Sequence, residues 1–208
     1  MRAAGRSGWC RWNGWLIPCL RRSTLPEDRV NERSFSVLRQ PAVGGPSIIT
    51  LGVGELAATT VPGSYIRTFA LGSCVSVIIL DPSSHCVAMD HVALPDSSVS
   101  PEKARGLPGH FADTGIPALL EAMRRAGASS NYRDHYFAKM VGGANVMDPH
   151  NAFNIGGRNA LAIKSILRRL GISVIAEDLG GRISRTVGID VATGTVRISS
   201  PGRTDWEV

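Results

Sequence analysis

The sequence predicts an α/β (α+β) protein: a single domain in which a mixed β-sheet packs with two main helices, preceded by a flexible N-terminal arm. Three observations predict it. Short runs rich in β-branched residues recur between turn signals, two stretches carry helical apolar spacing, and the opening of the chain differs in composition from everything after it.

The 208 residues suffice for one ordinary domain plus an appendage, and a composition that is 43% hydrophobic and 19% charged fits a packed core. The appendage comes first. Residues 1–45 hold eight Arg against Glu27, Asp28 and Glu32, so nearly all of the net charge of +6 sits there. The body is close to neutral and has no Lys/Arg stripe interleaved with aromatics, which argues against nucleic-acid binding. The apolar run from Trp15 to Leu20 is broken by Pro18 and followed by Arg21 and Arg22, so it does not read as a secretory signal. No run is long enough to span a membrane. Residues 1–46 are therefore read as a disordered basic arm with a Pro/Gly linker, residues 47–200 as the folded domain, and residues 201–208 as a C-terminal tail. Cys10, Cys19, Cys74 and Cys86 show neither CxxC spacing nor a disulfide framework, which fits a reduced, cytoplasmic setting.

Within the domain, Ile48 to Val53 and Tyr65 to Ala70 read as strands. Leu71-Gly72-Ser73 is a tight small-residue turn, and Cys74 to Leu80 is rich in β-branched residues and reads as a buried strand. Asp81 to Ser84 is a turn, so Cys86 to Leu94 returns as a hairpin partner. Residues 95–109 form a polar loop with three Pro, long enough to carry function. Residues 111–126 place Ile116, Leu119, Leu120 and Met123 on one helical face and stop at Gly127. A strand from Tyr136 to Val141 enters Gly142-Gly143-Ala144. A second helix, 155–170, carries the stripe Ala160, Ile163, Leu167 and Leu170 and ends at Gly171. Strands at 172–176, 183–191 and 195–198 complete a sheet of six to eight strands.

Cys74 stands where a glycine-containing turn becomes a strand. That position exposes a side chain at a sheet end and frees the backbone N–H groups around Gly72, Ser73 and Cys74 to cradle an oxyanion. A nucleophilic thiol needs a base, usually His. In the hairpin, His91 lies at the same end as Cys74 and His85 at the opposite end, beside the turn, so pairing favours His91. The residues alone leave other readings open. A strand Cys is commonly a small buried hydrophobe and a strand His a structural one. A metal site built from Cys74, His85, Cys86 and His91 is disfavoured, because adjacent strand residues point to opposite faces. Gly142-Gly143-Ala144 is not followed by Lys-Ser/Thr, so it is not a P-loop, and its glycines are read as allowing close backbone packing beside the site. His110, His135 and His150 are read as surface or loop residues.

Several spaced motifs resemble the CheD family of bacterial chemoreceptor glutamine deamidases. They are Thr68-Phe69-Ala70-Leu71-Gly72-Ser73-Cys74, then Asp81-Pro82, then Met89-Asp90-His91-Val92-Ala93-Leu94-Pro95. Further on come Phe111-Ala112-Asp113-Thr114, residues 139–147, Ile155-Gly156-Gly157-Arg158-Asn159 and residues 176–181. The resemblance covers residues 47–200. It implies a catalytic trio of Cys74, His91 and Thr68, with Thr68 orienting the imidazole, and a thioester route from glutamine to glutamate. It also implies chemoreceptor cytoplasmic helices as substrate, a CheC-type phosphatase as partner, membrane contact only through receptors, no cofactor and no metal. Methylesterase activity on the same acyl centre is a secondary expectation.

The sequence departs from that pattern at Asp90, where Asn or Ala is usual, and after Gly181, where residues 182–187 replace a "GRRV" run. The arm has no counterpart in the family pattern. Two further functions are weighed beside the enzyme: a non-catalytic adaptor for receptors or the phosphatase, and a thiol amidase on small substrates.

Overall fold

The computed structural model describes residues 9–12, 15–18, 45–129, 135–146 and 153–208. Two strands, β1 (Trp9–Trp12) and β2 (Trp15–Pro18), pair antiparallel as a separate ribbon with Trp9 opposite Pro18. They fall inside the stretch that composition marks as disordered. Residues 1–8, 13–14 and 19–44 of the arm lie outside the described residues.

The domain's strands are β3 (Ile48–Leu51), β4 (Leu56–Thr59), β5 (Tyr65–Leu71), β6 (Val75–Asp81), β7 (Cys86–Val92), β8 (Phe137–Gly142), β9 (Ser173–Leu179), β10 (Arg185–Asp190), β11 (Val196–Ser199) and β12 (Trp206–Glu207). The α+β class holds, and the strands divide between two five-stranded sheets. One has the order β12-β11-β10-β5-β3, the other β4-β7-β6-β8-β9. Both are mixed: β3 runs parallel to β5 and β8 parallel to β9, while the other pairs are antiparallel. A hydrophobic run shows that a strand is buried, not which neighbours it takes. Here the chain changes sheets between β5 and β6, and the crossing is Gly72-Ser73-Cys74.

Every position of β6 and β7 is buried, because both faces of the second sheet are covered. Ile78, Leu80, Val87 and Met89 meet Ile49, Leu51, Ile66, Val187 and Ile189 between the sheets. Val75, Val77, Ile79, Ala88 and Val92 meet the helices on the other side. Those are α2 (Ala112–Arg125) and α3 (Ile155–Arg169), docked through Ile116, Leu119 and Met123 and through Ile163 and Leu167. The helices end as their sequences imply, with Gly127 and Gly171 in the left-handed region at φ 94° and 73°.

Three elements have no clear mark in the sequence. Strand β4 reads Leu-Ala-Ala-Thr, poor in β-branched residues, and its antiparallel pairing with β7 makes it a strand. Helix α1 (Pro101–Gly106) occupies part of the polar loop. Strand β12 lies in residues 201–208, set apart above as a tail. It pairs with β11, and the Lys139 ammonium donates to the Val208 carbonyl at 2.6 Å.

Glycines at the end of β8 and in the first turn of α3 let backbones approach closely. A side chain on Gly156, in the first turn of α3, would run into the Gly143 carbonyl. Gly156→Ala is therefore expected to lower stability by about 1–3 kcal/mol, the usual cost of overpacking, read as a lower urea midpoint. An unchanged midpoint would show that α3 shifts freely.

Candidate functional site

The site is assembled where β5 of one sheet crosses over β7 of the other. Thr68 sits inside β5 and is fully buried, and His91 sits in β7 at 2% exposure. Alternation along β7 sends His91 toward the first sheet and Asp90 toward the helices. The Thr68 Oγ1 and His91 Nδ1 atoms are 2.6 Å apart, a hydrogen bond that spans the two sheets. The same hydroxyl donates to the Leu51 carbonyl at 2.8 Å. A hydroxyl has one proton to give. With that proton on Leu51, Thr68 accepts from Nδ1–H, and the His91 lone pair resides on Nε2. That atom is buried and has no partner among the described residues.

Cys74 is half-buried and packs against the apolar layer between the sheets, on the side His91 faces. In the hairpin register Ser76 stands opposite His91 and Val75 opposite Val92. Cys74 is therefore diagonal to His91, a spacing within reach of longer side chains. His85 and Cys86 lie at the far end, where Asp81 pairs with Cys86, and seven strand residues separate them from Cys74. His85 occupies the turn with φ 55°. Cys86 is wholly buried and its thiol pKa is pushed up to about 12, first by burial and then by Asp81. The two described thiols thus differ: one is a core hydrophobe and one stands half-buried just before β6 begins. Among the described residues, no three His, Cys, Asp or Glu side chains converge as a metal site.

The crossing loop is held by its carbonyls. The Gly72 carbonyl accepts from Ala144 N–H at 2.7 Å and the Cys74 carbonyl from Gly143 N–H at 2.8 Å. The Ser73 carbonyl accepts from Asn159 Nδ2 at 3.0 Å. Among the described residues, no other residue's acceptor takes the N–H of Ser73 or Cys74. Gly142, at φ 118°, gives β8 its approach, since a side chain there would run into the Cys74 carbonyl. The glycine pair does act as close-packing backbone beside the candidate thiol.

Burial dominates the electrostatics. It raises the Cys74 thiol pKa, partly offset by that residue's own N–H. It lowers His91 to about 4, with His110 adding to the effect. Asp90 does not counter this, because its carboxyl faces the other way. Among the described residues neither of its buried oxygens has a hydrogen-bond partner; they pack against the α-carbons of Gly109 and Gly115, and burial, partly offset by the His91 backbone amide, raises its pKa well above the carboxylate range.

One expectation needs correction. His110 is not a surface residue. It is 9% exposed, packs over Gly54, and its carbonyl accepts from the amides of Ala93 and Leu94. The three-proline loop folds back onto the strand that carries His91, which composition does not reveal. His135 is exposed, and His150 lies outside the described residues. Asn159 and Asp178 stand within motifs quoted above and Arg185 in the run that departs from the pattern, but the sequence assigns none of them a role. Arg185, 5% exposed, donates to Asp178 at 2.7 Å and to the Gly180 carbonyl at 2.9 Å, while Trp206 Nε1 donates to Asp178 at 2.8 Å. These bonds tie the loop after β9 to the other sheet and keep it beside Gly142, whose carbonyl accepts from Gly180 N–H. A charged pair seven residues apart in sequence was the available signal.

Comparisons with known proteins bear on the family of this chain. The family described as CheD chemotactic sensory transduction matches residues 93–200. A probable chemoreceptor glutamine deamidase CheD of Syntrophotalea carbinolica is 46% identical, over 78% of this chain and 99% of its own. A second such protein, from Anaeromyxobacter dehalogenans, is 41% identical over 74% of this chain and 95% of its own. The chemoreceptor glutamine deamidase CheD of Thermotoga maritima is 39% identical over 73% and 91%. This chain belongs to the CheD family.

Asp90 yields a prediction of its own. A carboxyl with a raised folded pKa favours folding while protonated, below the unfolded value of about 3.9, and that contribution is lost as pH rises. Asp90→Asn, neutral throughout, is expected to be more stable than the parent at pH 7, with the margin closing as pH falls toward about 4. Urea denaturation at the two pH values reads it. A margin that does not change with pH would place the carboxylate in contact with water.

Proposed function

We propose that this protein deamidates glutamine side chains of chemoreceptors through a Cys74 thioester. The names its relatives carry support the substrate class. The matched family span begins after His91, so the roles within the trio rest on geometry. The observation that carries them is the chain Leu51 carbonyl, Thr68 hydroxyl, His91 Nδ1. It leaves the base nitrogen Nε2 bare in a dry setting, on the side of the domain where Cys74 stands.

In this reading the Cys74 sulfur attacks the carboxamide carbon while Nε2 takes the thiol proton. The oxyanion is met by the backbone N–H groups of Ser73 and Cys74. The imidazolium then gives its proton to the departing nitrogen, and ammonia leaves. Water, deprotonated by the same Nε2, attacks the thioester. Glutamate and the free thiol remain, so one water is consumed per ammonia released. A glutamate methyl ester presents the same acyl carbon, so the site would also release methanol.

Family resemblance further carries the expectation of a CheC-type phosphatase partner and a cytoplasmic location, and co-purification with such a phosphatase tests the first. No helix among the described residues is long and apolar enough to cross a membrane.

Mass spectrometry of a receptor cytoplasmic fragment, with ammonia assayed in parallel, tests the activity. Each conversion adds about one mass unit, from replacement of NH2 by OH. Cys74→Ala and His91→Ala are expected to lose at least about a thousandfold in kcat, as removal of a nucleophile or its base does. Thr68→Val should lose about tenfold or more, by releasing the imidazole. Turnover retained by Cys74→Ala would overturn the mechanism.

The pH profile is a separate check. His91 remains an unprotonated base down to about 4, so kcat/KM should fall on the acid side near that value. An acid limb close to 6.5, the ordinary histidine value, would mean that the imidazole is hydrated in solution.

A further inference from the structure

Asn159 lies in the first turns of α3, fully buried, and its amide nitrogen has two hydrogens. One goes to the Ser73 carbonyl at 3.0 Å, the other to the Ala93 carbonyl at 2.8 Å. Ser73 immediately precedes the candidate nucleophile, and Ala93 follows His91 by two residues. Among the described residues the buried Asn159 oxygen has no partner, so these two donations are the hydrogen bonds this side chain makes there.

The Ser73 carbonyl and the Cys74 N–H belong to one peptide plane and point in opposite directions across it. Holding the carbonyl against α3 therefore turns the N–H away from the helix. The neighbouring plane is treated alike, since the Gly72 carbonyl is held by Ala144 N–H and the Ser73 N–H must point the opposite way. Two successive amides are thereby left without other acceptors among the described residues. From this geometry we infer that Asn159 is the positioning residue of the oxyanion site: its amide sets the Ser73–Cys74 peptide so that the Cys74 N–H meets the developing oxyanion. It touches no reacting atom. The inference rests on Cys74 being the acylated group, and it goes beyond that reading by naming what aims the donor.

The test separates two reactions of the same thiol. Acylation of Cys74 by p-nitrophenyl acetate passes through an oxyanion, whereas alkylation by iodoacetamide does not. Asn159→Asp keeps the shape and replaces the donating nitrogen by an oxygen facing two carbonyls. Asn159→Leu keeps approximate volume and donates nothing. In both variants the acylation rate should fall about tenfold or more, in the direction measured for oxyanion donors, while alkylation stays within about twofold of the parent. With a receptor fragment, kcat should fall with KM little changed.

Equal losses in both reactions, no loss in either, or failure of both variants to fold would make Asn159 a purely structural residue and overturn the inference. A parent protein whose Cys74 is not acylated by the ester would overturn it as well. A parent that is acylated, with the expected split in the variants, but leaves receptor glutamines intact would sink the proposed substrate and keep the inference.

Discussion

The hydrogen bond between Thr68 and His91 is the contact on which the rest of this site depends. It lies between two sheets whose shared layer is mostly apolar. Burying an imidazole and a hydroxyl there is costly unless each finds a partner. The Leu51 carbonyl, Thr68 and Nδ1 satisfy one another in sequence, and the bond cannot form unless β5 and β7 hold one relative register. A slip of one residue in either strand would turn Thr68 or His91 to the opposite face. The polar bridge therefore specifies how the sheets stack, and the stacking fixes the imidazole tautomer.

The crossing between the sheets depends on backbone rather than side chains. Gly72-Ser73-Cys74 passes from β5 to β6 with each carbonyl occupied, by Ala144, Asn159 and Gly143 in turn. That anchoring requires β8 and α3 to approach closely, which Gly142, Gly143 and Gly156 permit. Arg185 and Trp206, from the other sheet, hold Asp178 of β9 beside the same region. The loop carrying the thiol is thus clamped from both layers, so little reorganisation is needed when charge develops there.

The surroundings of His91 keep it neutral. Asp90, adjacent in sequence, is removed from it by strand alternation and spends its burial against glycine backbone. His110, distant in sequence, is brought close by the folded-back loop and disfavours a second positive charge. In the proposed mechanism, a neutral imidazole and a protonated thiol fit proton transfer concerted with attack, rather than a preformed ion pair.

The sequence by itself determined the elements that local pattern controls. The β-branched runs marked β3, β5, β6 and β7, helical spacing marked α2 and α3, and Gly127 and Gly171 marked their ends. The hairpin was legible too, and with it the preference for His91 over His85, because strand alternation and a turn at residues 81–84 are local facts. Tertiary structure alone decided what depends on contacts between distant segments. It split the strands into two sheets, made a strand of Leu56–Thr59, brought His110 from a polar loop into the interior, and set Asn159 between Ser73 and Ala93. The physical reason is the same in each case. A side chain's spacing tells which face it occupies, but a hydrogen bond across 66 or 86 residues exists only once packing has chosen what that face meets.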